Sequence, residues 1–317
     1  MKGPARAASS EPYPDLMHRG RAYLALALAN LFWAGNYVFG EMVTAEISPV
    51  SLTFWRWVFA AIPLLVLAWA IERPDWRAAA REWPLHLLQS ALGLTGYTLF
   101  LYSALGLTGA VNASVISAIN PATIALAAAI FLHQRLHGLQ IVGLVVAFAG
   151  VTLVLTGGDV LAVLEQGFRV GDLLVVASVI VWTAYSIVAR RLRTPPITAT
   201  AVQSVFAVVT MLLLVAVVGV TLPTTAGSIA GLVYIVIFPS MLGYALWNLG
   251  SGAVGPARAG IFLNLLPVFT VLIAVALGQS LEPVAMAGGA LVLLGVYLTL
   301  RVARTGRADA ATDVTAR

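Results

Sequence analysis

Cysteine is absent from the 317 residues, which excludes a disulfide framework and any thiolate metal site but does not fix the compartment. Charge is scarce. Only 10% of the residues are Asp, Glu, Lys or Arg, against roughly 25% in an average soluble domain. With 60% of the chain hydrophobic, there is too little polar material to coat a soluble fold of this length, so lipid must solvate most of it. The net charge of +5 does not point to nucleic acid, because the basic residues lie in short, dispersed clusters rather than one patch. The first 20 residues hold no apolar run, so no cleavable signal peptide is expected. No HExxH and no acidic pair within an apolar run is present, and His18, His86, His133 and His137 all fall on one side of the expected topology. A membrane-embedded hydrolase is therefore not expected, nor is a metal or cofactor. Neither rings of charge nor a carbonyl-filter sequence is present to suggest a passive channel.

What the chain has in quantity is apolar runs of helix length. A bilayer core about 30 Å thick needs roughly 20 apolar residues per helix. Ten runs meet that ruler: 22–40, 50–71, 85–103, 111–132, 138–156, 171–190, 199–220, 226–249, 259–278 and 284–303. Barrel strands would instead alternate over about 10 residues. Counting loops on this scheme, 16 of the 18 basic residues fall on one side, Arg56 and Arg169 being the exceptions. By the positive-inside rule that side is cytoplasmic and holds both termini. The expected layout is a tail over 1–20, one unit over 21–157, an outer linker over 158–170, a second unit over 171–303 and a tail over 304–317. Residues 1–20 and 306–317 read as irregular. The partners expected are a small-molecule solute and the lipid bilayer of a bacterial inner (plasma) membrane, with a monomer as the working unit and a dimer as the alternative.

The two units repeat. "LFWAGNYVFG" (31–40) lies on "IVWTAYSIVA" (180–189), with Trp33 over Trp182. "TGYTLFLYSALG" (95–106) lies on "LGYALWNLGSGA" (242–253), with Gly96 and Tyr97 over Gly243 and Tyr244. Pro121 falls over Pro267, and Gly143 and Gly150 fall over Gly288 and Gly295. Five spans per unit is an odd number, so the second unit inserts upside down, as in many secondary transporters. The fold class expected is an all-α integral membrane protein of ten transmembrane helices in two inverted five-helix repeats. These segments, with the aromatic–Arg–aromatic at 55–57 and "LEPVAMAGGALVLLGVYL" (281–298), resemble the drug/metabolite transporter superfamily, EamA type, over roughly 20–303. Within it the nearest resemblance is to bacterial aromatic amino acid exporters. One departure is His137, which stands where the family repeat commonly has an acidic residue; Glu282 supplies it in the second unit. The resemblance implies export of small metabolites, aromatic or other apolar amino acids first. Another metabolite or drug on the same fold (a nucleoside, vitamin or sugar derivative), proton-coupled or not, is the alternative.

The candidate substrate-binding residues are Trp33, Asn36 and Tyr37 in span one, Tyr97 and Tyr102 in span three, Asn120 in span four, Trp182 and Tyr185 in span six, Tyr244 in span eight and Asn264 in span nine. Spacings of three and four put the span-one and span-six groups on single helix faces. Each ring could line a cavity, or pack between helices with its polar atom on backbone. Pro121 and Pro267 free the carbonyls of Ser117 and Leu263 and are candidate hinges, or static kinks. The glycine pairs permit close helix approach, as internal scaffold or dimer seam. Arg56 has two readings. It lies about 9 Å along the helix from the outer end of span two, within reach of snorkelling, and Trp55 and Trp57 suit an interfacial belt. On that reading it is an anchored interfacial Arg that packs the outer gate; the other reading is a counter-charge for a substrate carboxylate on the exit path. No other charge lies deep in a span. Proton-coupled pumps place acids or histidines there, so facilitated movement down the solute gradient is the simplest expectation.

Overall fold

The computed structural model describes residues 19–131, 133, 138–159, 169–254, 259–279 and 281–314. His18, Arg135, His137 and Arg258 lie outside them. The described residues contain helix, turn and bend but no strand. In chain order the helices are α1 (Arg19–Thr44), α2 (Pro49–Ile71), α3 (Trp76–Arg81), α4 (Trp83–Gln89), α5 (Tyr97–Thr108), α6 (Ala110–Ser117), α7 (Asn120–Phe131), α8 (Gly138–Leu155), α9 (Val170–Val188), α10 (Pro196–Val218), α11 (Ala226–Ile235), α12 (Tyr244–Val254), α13 (Leu265–Ala276) and α14 (Pro283–Val314). Among the described residues eight helical stretches are long and apolar enough to cross a membrane. Two shorter apolar helices, Phe262–Ala276 and Pro283–Leu298, occupy the last two expected spans. The irregular tail expected from residue 306 is not found over 306–314, where α14 continues. That stretch is alanine-rich and free of Pro, and Ala has the highest helix propensity.

Local sequence sets several boundaries. Ser48 caps α2, its hydroxyl accepting from Ser51 N–H at 3.1 Å, and Pro49 opens the helix where a missing N–H costs nothing. Two spans contain a feature the apolar pattern hides: π-helical turns over Ser90–Gly96 and Val236–Gly243, each ending just before a candidate tyrosine, Tyr97 or Tyr244. Spans four and nine break where proline forbids continuation. Helix α6 stops at Ser117, and α7 restarts with Pro121 as its second residue. Residues Gly260–Asn264 form a 3-10 turn before α13, whose third residue is Pro267.

Equivalent elements of the two halves make equivalent contacts. Helix α1 packs on α11, the second π turn, α12 and α13, and its repeat mate α9 packs on the first π turn, α5, α6 and α7. Helix α2 packs along α10, and α8 along α14. The last seam is built on glycine: a Cβ on Gly150 would lie 2.7 Å from the Gly288 carbonyl oxygen, and one on Gly295 would lie 2.5 Å from that of Gly143. These glycines therefore serve an intrachain seam, the scaffold reading of the two.

Carboxylates tie the halves together at both ends. At the Arg-poor end, Glu46 accepts from the hydroxyls of Thr224 (2.7 Å) and Thr225 (2.6 Å) and from their backbone N–H groups. The Thr225 hydroxyl foremost, then Thr224, holds this carboxyl well below the usual carboxylate range. At the Arg-rich end, Glu72 accepts from Ile197 N–H, Thr198 N–H and the Thr198 hydroxyl at 2.6–2.9 Å. Glu82 does the same for Arg193 and Thr194.

Candidate functional site

Helix α1 presents Trp33, Asn36 and Tyr37 toward the interior. Trp33 Nε1 donates to the Pro239 carbonyl at 3.1 Å, and its ring meets Tyr244 at 5.7 Å and Trp247 at 5.3 Å. Gly243 makes that approach possible, since a Cβ there would sit 2.9 Å from Trp33 Nε1. Tyr37 and Tyr97 share a hydroxyl–hydroxyl bond of 3.2 Å. Tyr97 packs on Trp182 at 4.8 Å between ring centroids, and Trp182 on Tyr185 at 5.0 Å. Asn30 and Ser178, one turn before Trp33 and Trp182 on the same helices, bond back to their own helices.

Arg56 does not snorkel. It is 3% exposed; its Nε donates to Ser240 Oγ at 2.7 Å and its Nη1 to Tyr102 OH at 2.6 Å and Asn36 Oδ1 at 3.2 Å. The guanidinium carbon lies 4.8 Å from the Trp57 ring centroid, a cation–π contact. The correction has a physical reason: α2 packs on the second π turn, which offers Ser240 as an acceptor, whereas the outward route crosses hydrocarbon. Trp57 also leaves the interfacial belt, being fully buried with Nε1 on the Leu94 carbonyl at 3.0 Å. Trp55 bonds instead to Thr221 O at 3.0 Å.

Nine of the candidate residues line one cavity: Trp33, Asn36, Tyr37, Arg56, Tyr97, Asn120, Pro121, Trp182 and Tyr244. Ser117, Ala118, Leu263 and Leu266 complete it. Tyr102 lies behind Arg56, fully buried, and Tyr185, Asn264 and Pro267 are outside the lining. The lining therefore contains one permanent cation and no carboxylate. Every bond recorded for the guanidinium goes to a neutral oxygen. The free space is about 60 Å³, room for a few waters at about 10–15 Å³ each, and too small for an aromatic amino acid until the rings move. Ser117, Ser240, Leu263 and Leu266 were not legible as site residues. Ser117 and Leu263 carried a signal only as the carbonyls that the prolines free, and Ser240 only as a polar residue where the repeat alignment puts Gly93.

A model of the EamA-like transporter family matches residues 20–156 and again 169–301. The chain belongs to that family. Among its EamA-like and other transporter relatives, an uncharacterized transporter of Archaeoglobus fulgidus is 30% identical over 88% of this chain and 97% of its own length. A probable terminal-alkyne amino-acid exporter of Streptantibioticus cattleyicolor is 27% identical over 93% of this chain and 99% of its own. A probable amino-acid metabolite efflux pump of Salmonella typhimurium is 26% identical over 92% and 99%. A solved crystal structure matches at TM-score 0.65 and 22% identity, covering 91% of this chain and 99% of that one. Multi-pass membrane architecture and small-solute transport thus describe this EamA-like chain.

Proposed function

We propose that this EamA-like transporter exports small amphipathic solutes that carry a carboxylate, aromatic or other apolar amino acids first, by alternating access. The observation that carries the reading is Arg56, a permanent charge held among neutral groups on the wall of a ring-lined cavity. A guanidinium offers a planar fork suited to a carboxylate, and the rings of Trp33, Tyr97, Trp182 and Tyr244 offer apolar walls. Two relatives named as amino-acid exporters or efflux pumps support the same class.

The architecture we propose is ten crossings in two inverted five-helix repeats, with both tails cytoplasmic in a bacterial inner membrane and a monomer as the working unit. It is supported by the two family matches, the two shorter apolar helices beside the eight long ones and the one-sided distribution of Arg. Carboxylate ties link the two halves at both ends, and the free space between them is small. Transport then requires one set of ties to open at a time while the halves rock, with the breaks before Pro121 and Pro267 as hinges. With no carboxylate in the cavity lining, the simplest energetics is facilitated movement down the solute's own gradient.

Counterflow of labelled tryptophan in proteoliposomes tests this. Saturable flux is expected, competed by other apolar amino acids but not by tryptophan amide, which lacks the carboxylate. Flux unaffected by Trp182→Ala and Tyr97→Ala together would remove the cavity from the mechanism.

A further inference from the structure

We infer that the break between α6 and α7 is a cation-binding subsite of the same cavity, built to receive the α-ammonium of a solute whose carboxylate meets Arg56. The inference rests on the amino-acid reading above and narrows it from carboxylates in general to zwitterions. Its starting point is a cluster of acceptors without donors. Pro121 has no N–H to give the Ser117 carbonyl, four residues back. The Ala118 carbonyl loses its helical donor too, because Ala122 N–H bonds three residues back to Ile119 O at 2.9 Å. Asn120 Oδ1 is buried with no hydrogen-bond partner. Ser117 Oγ is buried as well, with the Tyr37 hydroxyl as a polar neighbour. Buried acceptors are paired in most proteins, so several together at one helix break need an explanation.

All three residues line the cavity that Arg56 lines, and Ser117 is only 4% exposed. Ser117 and Ala118 close α6, where the last carbonyls carry the negative pole of the helix dipole, and Asn120 opens α7 beside them. Neutral carbonyls at an interrupted membrane helix suit a monovalent cation, which can be held there without a buried carboxylate. The cavity thus has a donor pole at Arg56 and an acceptor pole at Asn120. A zwitterion satisfies both; a plain carboxylate leaves the acceptors bare, and an amine alone meets the Arg56 charge.

The test uses the full-length protein in nanodiscs and labelled tryptophan, displaced by indole-3-propionate (no ammonium) or tryptamine (no carboxylate). Wild type is expected to prefer tryptophan over indole-3-propionate by about 10-fold or more, the scale of one charge-assisted hydrogen bond. Asn120→Leu should collapse that preference toward about 1, and Asn120→Asp, which keeps the acceptors and adds a charge, should raise tryptamine binding by about 10-fold or more. If Asn120→Leu leaves the wild-type preference intact, or Asn120→Asp fails to gain tryptamine, the ammonium subsite is overturned while Arg56-dependent carboxylate binding stands. If tryptophan binding by wild type requires sodium and Asn120→Leu loses that requirement, a free cation occupies the pole and the ammonium assignment falls. If wild type binds neither tryptophan nor indole-3-propionate, the amino-acid reading fails and the subsite with it.

Discussion

Replacing Arg56 with Leu separates a binding role from a structural one, because the two predict opposite effects. The neighbours of Arg56 do not depend on it for satisfaction. Tyr102 OH donates to Asn36 Oδ1 at 2.8 Å, and Ser240 Oγ donates to the Ile235 carbonyl at 2.7 Å. Removing the guanidinium strands no donor on those side chains and relieves the cost of a buried charge. Replacing buried ionic groups with apolar ones of similar volume is often neutral or stabilising by about 1–4 kcal/mol. Arg56→Leu should therefore unfold at the wild-type temperature or higher. Binding goes the other way. A charge-assisted hydrogen bond to a carboxylate contributes about 1.5–3 kcal/mol, so tryptophan affinity should fall by about 10- to 150-fold. Thermal unfolding in detergent, followed by loss of monodisperse protein, reads the first effect, and binding of labelled tryptophan reads the second. A fall in the unfolding midpoint with tryptophan binding preserved would refute the reasoning and return Arg56 to a packing role. Arg56→Lys sharpens the comparison: an ammonium keeps the charge but cannot reach Ser240, Tyr102 and Asn36 from one atom as the fork does, so affinity should recover only in part.

Three further outcomes are expected. Gly150→Ala places a methyl 2.7 Å from the Gly288 carbonyl; overpacking of this kind costs about 1–3 kcal/mol, so the unfolding midpoint should drop, whereas Gly106→Ala, with nothing within 4 Å of the added Cβ, should not lower it. The absence of native cysteine makes single-cysteine labelling clean: Ser10→Cys and Thr315→Cys should react from the same side of the membrane and Leu222→Cys from the other, and opposite labelling of the two tails would break the ten-span proposal. The pH dependence of the Glu46 ties has a definite sign. Their acceptor carboxylate titrates below its ordinary value of 4.5, so their contribution is fully present above that value and is lost as pH falls through the lower one. Counterflow measured from pH 5 to pH 8 should show the same profile in wild type and Glu46→Gln; an inflection in this window that disappears in the variant would contradict the assignment.

Much of the site was legible because it recurs. Trp33 and Trp182, Tyr97 and Tyr244, and the two prolines stood out as matched positions in two copies of one unit, and most of them reach one cavity. The π turns were invisible, because a single extra residue in a helical turn changes no hydropathy and leaves no composition mark. Pro267 matched Pro121 in the repeat, and Asn264 lies one turn before it as a counterpart to Asn120, yet both lie outside the lining. A sequence repeat equates positions in the chain, while a cavity in one conformation need not treat the two halves alike.

Composition alone determined the solvent, since a chain this apolar with so few charges has nowhere else to place its surface. Run length and the one-sided arginines determined helices and an expected topology, because bilayer thickness and charge translocation act on short stretches of chain. Only tertiary structure decided what Arg56 does. Whether a guanidinium turns toward the headgroups or the interior depends on which acceptors lie across from it. Ser240 is 184 residues away along the chain, and folding alone brings it within reach.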